Sequence, residues 1–292
     1  LLCIAIGFAV GLHFQSAIVY NRDWSVQRSL FWQMTWRMPA LQPGTIILSN
    51  ELPVTHYSDN SLSAPLNWTF DPNNDPLVMK YMLFYPTLRQ AEAMGNFKAH
   101  YQISHDFLAA TFYGSTDQVV VIYYQPPGCM RVLDPEVEQS NWMVPNYLRD
   151  TLFLTSTRPI LTSLPPGDPA PQPPAHIYGS EISRGWCYYY EKADLARQAG
   201  EWETVAALGD KAFENKDYPN DPIERFPFIE GYAHTGNWTR ALELSQETYT
   251  ITSVTKPMLC RLWQRIDRET QPGKGKQESL DSIQSTLQCA TN

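Results

Sequence analysis

Residues 1–20 read LLCIAIGFAVGLHFQSAIVY, and the first formal charge is Arg22. A helix crossing the apolar layer of a bilayer needs about 20 mostly apolar residues, and this stretch supplies them. His13, Gln15 and Ser16 stand toward its polar end. The stretch has neither the basic leader nor the small-residue cleavage site of a signal peptide. Two readings follow: the last span of a multispanning protein, or a helix buried among identical helices in an assembly. In both, Leu1, Ile4, Ile6, Phe8, Val10, Leu12, Phe14 and Ile18 form an anchor or assembly helix. Its partners are copies of itself or membrane lipid. Cys3, inside the segment, is expected to be a free buried thiol.

Past Asp23 the helical pattern continues. Trp24, Gln27, Phe31, Met34 and Met38 recur at steps of three and four, the period of one helix face. Trp24, Trp32 and Trp36 are amphipathic rings suited to the place where a helix leaves an apolar layer. Pro39 and Pro43-Gly44 end the pattern, so one helix is predicted over residues 2–38.

Composition fits a folded chain. Of 292 residues 18% are charged, below the roughly 25% of an ordinary soluble domain, and 13% are aromatic, which excludes a disordered polymer. The net charge is −8 and the longest basic cluster is Lys274-Gly275-Lys276, so a nucleic-acid partner is not expected.

Residues 39–163 read as an α/β domain. Gly44-Thr45-Ile46-Ile47-Leu48-Ser49 is a turn and a short buried strand. Ser58-Asp59-Asn60-Ser61 supplies cap chemistry for a helix over residues 64–68, with Pro65 in its first turn. Residues 79–84 are an apolar run, strand or helix. Residues 97–104 and QVVVIYYQ at 118–125 read as strands, and 129–133 as a further short one. LPPGDPAPQPP at 164–174 marks a stiff linker over residues 164–183. The fold class is α+β: a long apolar helix, this α/β domain, and a helical domain over residues 184–292.

In that last part Gly200-Glu201-Trp202 recurs as Gly236-Asn237-Trp238, and Val205 and Leu208 recur as Ala241 and Leu244. The copies predict helix pairs over 187–199 with 204–213, 227–235 with 240–249, and a more degenerate 257–269 with 277–289. Such pairs stack because one pair cannot bury its apolar face alone. On Gly200 with Val205, Gly236 with Ala241, and the aromatic Tyr232, the segment resembles the tetratricopeptide-repeat family. Ala196, at the place equivalent to Tyr232, departs from it. The resemblance implies a right-handed stack of helical hairpins that binds other proteins. The front of the chain, on residues 1–36 and Pro43-Gly44-Thr45, is similar to the extracytoplasmic tail of multispanning lipid-dependent glycosyltransferases. That family's catalytic acid lies in an early loop not contained in this chain, so the resemblance implies a tail without an active site.

Cys129, Cys187, Cys260 and Cys289 are disulfide candidates. A Cys260–Cys289 bridge would staple the end of the chain, and a Cys129–Cys187 bridge would lock the α/β domain to the repeats. Four cysteines allow three connectivities, and reduced thiols are the other option. Disulfides and the apolar span point to an oxidising face, extracellular or at the cell surface. Asn67-Trp68-Thr69 and Asn237-Trp238-Thr239 have the form of glycosylation acceptors, making Asn67 and Asn237 the candidates.

Catalytic signatures do not emerge. Ser58-Asp59-Asn60 reads as a helix cap. Asp71-x-Asn73-x-Asp75 opens like a calcium loop, but Pro76 replaces the glycine the turn needs. His100 and His105 lack a zinc-spaced partner. No catalytic, cofactor or metal site is assigned. The expectation is a non-enzymatic extracytoplasmic protein, a cell-surface assembly or filament subunit packing through its apolar helix and binding other proteins through its repeats. The alternative is the glycosyltransferase-like tail.

Overall fold

The computed structural model describes all residues except 56–57, 74–76, 90–97, 165–166, 168, 216 and 290–292. The chain opens with α1 (Leu2–Arg37). Physically α1 is two helices in one. Leu1 to Ile18 are all exposed, whereas Leu30 to Met38 are buried without a gap. The one-sided stripe expected beyond Trp24 therefore becomes burial on every side, because α1 passes between a sheet and the helical region. At Pro39 the missing N–H and the fixed φ end it.

The middle region alternates short elements: β1 (Ala40–Leu41), β2 (Thr45–Ser49), α2 (Asp59–Phe70), β3 (Val78–Met79) and β4 (Tyr81–Phe84). Then come α3 (Pro86–Arg89), β5 (Gln102–Asp106), β6 (Thr111–Ser115), β7 (Val119–Tyr123) and β8 (Arg131–Val132). α4 (Pro135–Glu138), α5 (Asn146–Arg149), β9 (Ile160–Leu161) and α6 (Ala175–Tyr178) complete it. The main sheet has the order β4-β2-β7-β8, with β2 parallel to both neighbours and β8 antiparallel to β7. Alternation sorts its side chains. Ile47, Leu83, Val120 and Ile122 meet Leu30, Phe31 and Met34 of α1 and Leu62 and Leu66 of α2. Ile46, Leu48, Met82, Val119 and Val121 face the other way, onto Phe112, Leu148 and Leu152. Burial on both faces is why these strands read as unbroken apolar runs.

A smaller sheet, β3-β6-β5, pairs β5 with β6 antiparallel. The run at 79–84 is strand, as β4. The strand expected at 97–104 lies instead at β5, and Phe97 falls outside the described residues. The cap before α2 is present: Ser61 N–H donates to Ser58 Oγ at 3.1 Å and Ser58 N–H to Ser61 Oγ at 3.2 Å. That cap starts α2 at Asp59, so Pro65 falls in the second turn and not the first.

The C-terminal region is helical: α7 (Trp186–Ala199), α8 (Trp202–Glu214), α9 (Phe226–His234), α10 (Trp238–Ile251), α11 (Lys256–Glu269) and α12 (Lys274–Leu287). Gly200 and Gly236, the recurring glycines, turn the chain between helices at φ 73° and 81°, where a side chain would be disfavoured. Val205, Ala241, Tyr232 and Leu244 lie in the core of this region. Within segment 164–183, expected as a linker, residues 178–181 are held against α1. Pro165, Pro166 and Asp168 of its proline run fall outside the described residues. Tyr178 is buried and stacks on Trp24 with ring centroids 4.9 Å apart. Arg28 donates to the Ser180 carbonyl at 2.6 Å, and Trp36 Nε1–H to Glu181 Oε1 at 2.9 Å. These contacts come from the residues after the proline run, where the ring of Trp24 gives Tyr178 a flat apolar partner.

Candidate membrane anchor and its charged junction

The exposed half of α1 is mostly apolar, and its few polar residues, His13, Gln15 and Ser16, form no continuous face. One window of it, with a mean hydropathy of 1.9, has none of its residues buried in the chain. At 1.5 Å per residue, residues 2–20 span about 28 Å, close to the ~30 Å hydrocarbon layer of a bilayer. A helix without a polar face needs apolar surroundings on every side. Leu1, Ile4, Ile6, Phe8, Val10, Leu12, Phe14 and Ile18 are all among its exposed residues. Cys3 is a free thiol, exposed on the surface of the isolated chain like the rest of this segment. Where the apolar run stops, Arg22 pairs with Asp23 at 2.9 Å and donates to Thr55 Oγ1 at 3.0 Å. Asp23 Oδ2 accepts from Thr55 N–H at 2.6 Å, tying the loop before α2 to the helix.

At its other end α1 enters a buried ion network. Arg37 Nε donates to Asp194 Oδ2 at 2.6 Å, and Arg197 Nε to Asp194 Oδ1 at 2.8 Å. Arg37 Nη1 also reaches Gln198 Oε1 at 2.9 Å. Arg197 approaches Asp134 at 3.3 Å and Glu230 at 3.6 Å. Arg265 grips Glu230 through two bonds of 2.7 and 2.9 Å and also pairs with Asp134. Three arginines thus face three carboxylates, drawn from α1, the loop before α4, α7, α9 and α11. Burial alone would push the Asp194 carboxyl up; Arg197 and Arg37 overturn this and hold it at about 2. Asp134 shows the same contest, with burial opposed by Arg197 and Arg265, and ends below its usual range.

Two disulfides flank this junction. Cys129 and Cys187 join the loop after β7 to α7, with S–S 2.05 Å. Cys260 and Cys289 join α11 to the residues after α12. Beside the first bridge, Glu224 Oε1 accepts from Cys129 N–H at 2.7 Å. Burial pushes the Glu224 carboxyl up to about 7, with Asp221 adding to it and the Cys129 amide and Arg131 opposing. Glu191 is fully buried, neither of its carboxyl oxygens has a hydrogen-bond partner, and burial raises it well above the carboxylate range.

The sign for Glu224 follows from linkage. Its folded value lies above the unfolded 4.5, so the folded state holds the extra proton and stability falls as pH rises from 4.5 to about 7. A displacement of that size corresponds to roughly 3 kcal/mol. Glu224→Gln keeps an acceptor for the Cys129 amide and removes the ionisation. Thermal melts from pH 4.5 to 8 are expected to fall less steeply for the variant than for the native chain, with Glu191 keeping its own share of the slope; parallel curves would contradict this.

The two sequons separate. Asn67 is buried: its Nδ2 donates to the Ser63 and Tyr81 carbonyls at 2.8 and 2.7 Å, and its Oδ1 accepts from Lys80 N–H at 2.9 Å and Tyr81 N–H at 3.1 Å. A glycan there is incompatible with the fold, which corrects the expectation for Asn67. Asn237 is exposed and caps α10 through Oδ1, which accepts from Arg240 N–H. Its Nδ2 can carry a sugar while the cap stays.

Among the described residues no cluster of three or more His, Cys, Asp or Glu is arranged to hold a metal. Asp75 and Pro76 of the calcium-like loop lie outside them. His100 forms a 2.7 Å contact with Asp117, and His105 packs edge-on against Phe107. A groove of about 430 Å³ runs along α1 past Ser25, Ser29, Gln33 and Trp36. Comparison with protein-family models, curated proteins and solved structures returns no match. The ion network was illegible in the sequence because its members are far apart: Arg37 and Asp194 are separated by 157 positions.

Proposed function

We propose that the chain is an extracytoplasmic protein-interaction module held at a membrane by the apolar half of α1. The observation that carries this is the continuity of α1: a mostly apolar, uncovered segment becomes, within one helix, the buried axis of a folded body. Two cysteine pairs at disulfide distance are compatible with an oxidising face. The helical hairpins, similar in sequence to tetratricopeptide repeats, supply the surface for partner proteins. The module itself performs no chemistry in this reading.

A second reading is favoured by Gly7 and Gly11, whose positions have no neighbouring atom within 4 Å. Small residues four apart let another helix approach closely. Sister copies in a filament-like assembly would use that path, and so would further spans of a glycosyltransferase-like membrane protein carrying this body as its tail.

The test is expression of the chain with targeting to an oxidising compartment, followed by carbonate extraction and non-reducing peptide mapping. The expected result is a carbonate-resistant protein with Cys129–Cys187 and Cys260–Cys289 peptides linked. Free thiols at all four positions, or release into the carbonate supernatant, would overturn the proposal.

A further inference from the structure

Beyond the end of the apolar run, the body presents a second apolar surface at a defined height. Tyr20 and Trp24 are one helical turn apart on one side of α1, and both are exposed, at 58% and 37%. Trp24 stacks on Tyr178, which brings the α6 turn and its neighbour Ile177, also 37% exposed, to the same level of the helix. The hydrogen bond from Arg28 to the Ser180 carbonyl fixes the turn there. Arg22 projects at this level with 59% of its side chain exposed.

The height identifies the occupant. With residues 2–20 filling the hydrocarbon layer, Trp24 lies about 6 Å further along the axis, and the headgroup layer on each side of a bilayer is roughly 5–8 Å thick. Tyrosine and tryptophan concentrate at that depth because one end of each ring is apolar and the other is wet. Arg22, two residues from each and so on the opposite side of α1, adds a cation at the same height around the helix. A second copy of the chain is a poorer fit, since three partly exposed side chains fall far below the roughly 800 Å² per partner of a stable protein interface.

We propose that Tyr20, Trp24 and Ile177 form a docking face for the lipid headgroup layer, so that the body touches the membrane surface beside α1 as well as through it. This rests on α1 being the anchor, and the experiment separates the two. In a Cys3→Ser background, the full chain carrying Ile177→Cys, Phe8→Cys or Tyr113→Cys is labelled with a small fluorophore under non-reducing conditions. Each labelled protein is then placed in phosphatidylcholine vesicles with nitroxide-bearing lipids. Tyr113 is the remote control: it is exposed and lies beside Gly44, past the far end of α1.

The expected result is quenching at Ile177→Cys by headgroup nitroxide at least about twofold stronger than at Tyr113→Cys, as interfacial placement requires. Phe8→Cys is quenched by acyl-chain nitroxide. Quenching at Phe8→Cys with Ile177→Cys no different from Tyr113→Cys overturns the docking face and leaves the anchor standing. No quenching at Phe8→Cys overturns both.

Discussion

Deleting residues 1–20 is expected to turn a detergent-requiring protein into one that stays monomeric in plain buffer with its melting temperature unchanged. Residues 1–18 are exposed throughout, and Val19 alone of the segment is half-covered, so the deletion removes no core contact. What it removes is apolar surface. At about 1.5–3 kcal/mol for each large side chain, the eight anchor residues from Leu1 to Ile18 would gain about 12–24 kcal/mol from apolar surroundings before ordering costs. Size-exclusion chromatography with and without detergent, together with calorimetry, checks both halves of the expectation. A truncated chain that melts many degrees early would mean that this segment packs onto the body, and the membrane reading would fall with it.

Asp194→Asn is the second large effect. It leaves Arg37 buried without its carboxylate and loosens Arg197, and breaking a buried ion pair from one side costs about 3–5 kcal/mol. For a chain of this size the melting temperature should drop by about 10 °C. Arg37→Met on its own should cost a comparable amount. The double variant should cost clearly less than the sum, because the two residues act on one bond. Additive losses would show that the network is no unit.

Acid exposes the same pair. Asp194 is held at about 2 against an unfolded 3.8, so its contribution is complete above 3.8 and is lost as pH falls toward 2. Glu224 works in the opposite sense between 4.5 and about 7. Together these two groups place the most favourable pH between 3.8 and 4.5, and Glu224→Gln softens the loss above it while Glu191, raised in the same sense, keeps its share.

What was legible in the sequence was local. The apolar run of α1, the β-branched cluster of β7, the serine cap of α2 and the glycines at 200 and 236 each announce a structure through neighbours a few residues away. The same locality explains the failures. Asn67 carries a perfect acceptor triplet, yet the tertiary fold brings Lys80 and Tyr81 against it and spends all its hydrogen bonds on the backbone. Nothing near residues 164–183, read as a linker, reveals that Tyr178 within them will find Trp24, well over a hundred positions earlier. Arg37, Asp194, Asp134, Glu230 and Arg265 look like ordinary surface charges one by one. Only the meeting of five separate elements makes them a buried set.

α1 has no joint. From Leu2 to Arg37 the helix is unbroken, and its last third is gripped by sheet, strap and ion network. Any turn of the outer half about its own axis must therefore swing the whole body through the same angle, like the blade of a key turned by its shank. Whatever grasps those first five turns sets the compass bearing of the body above.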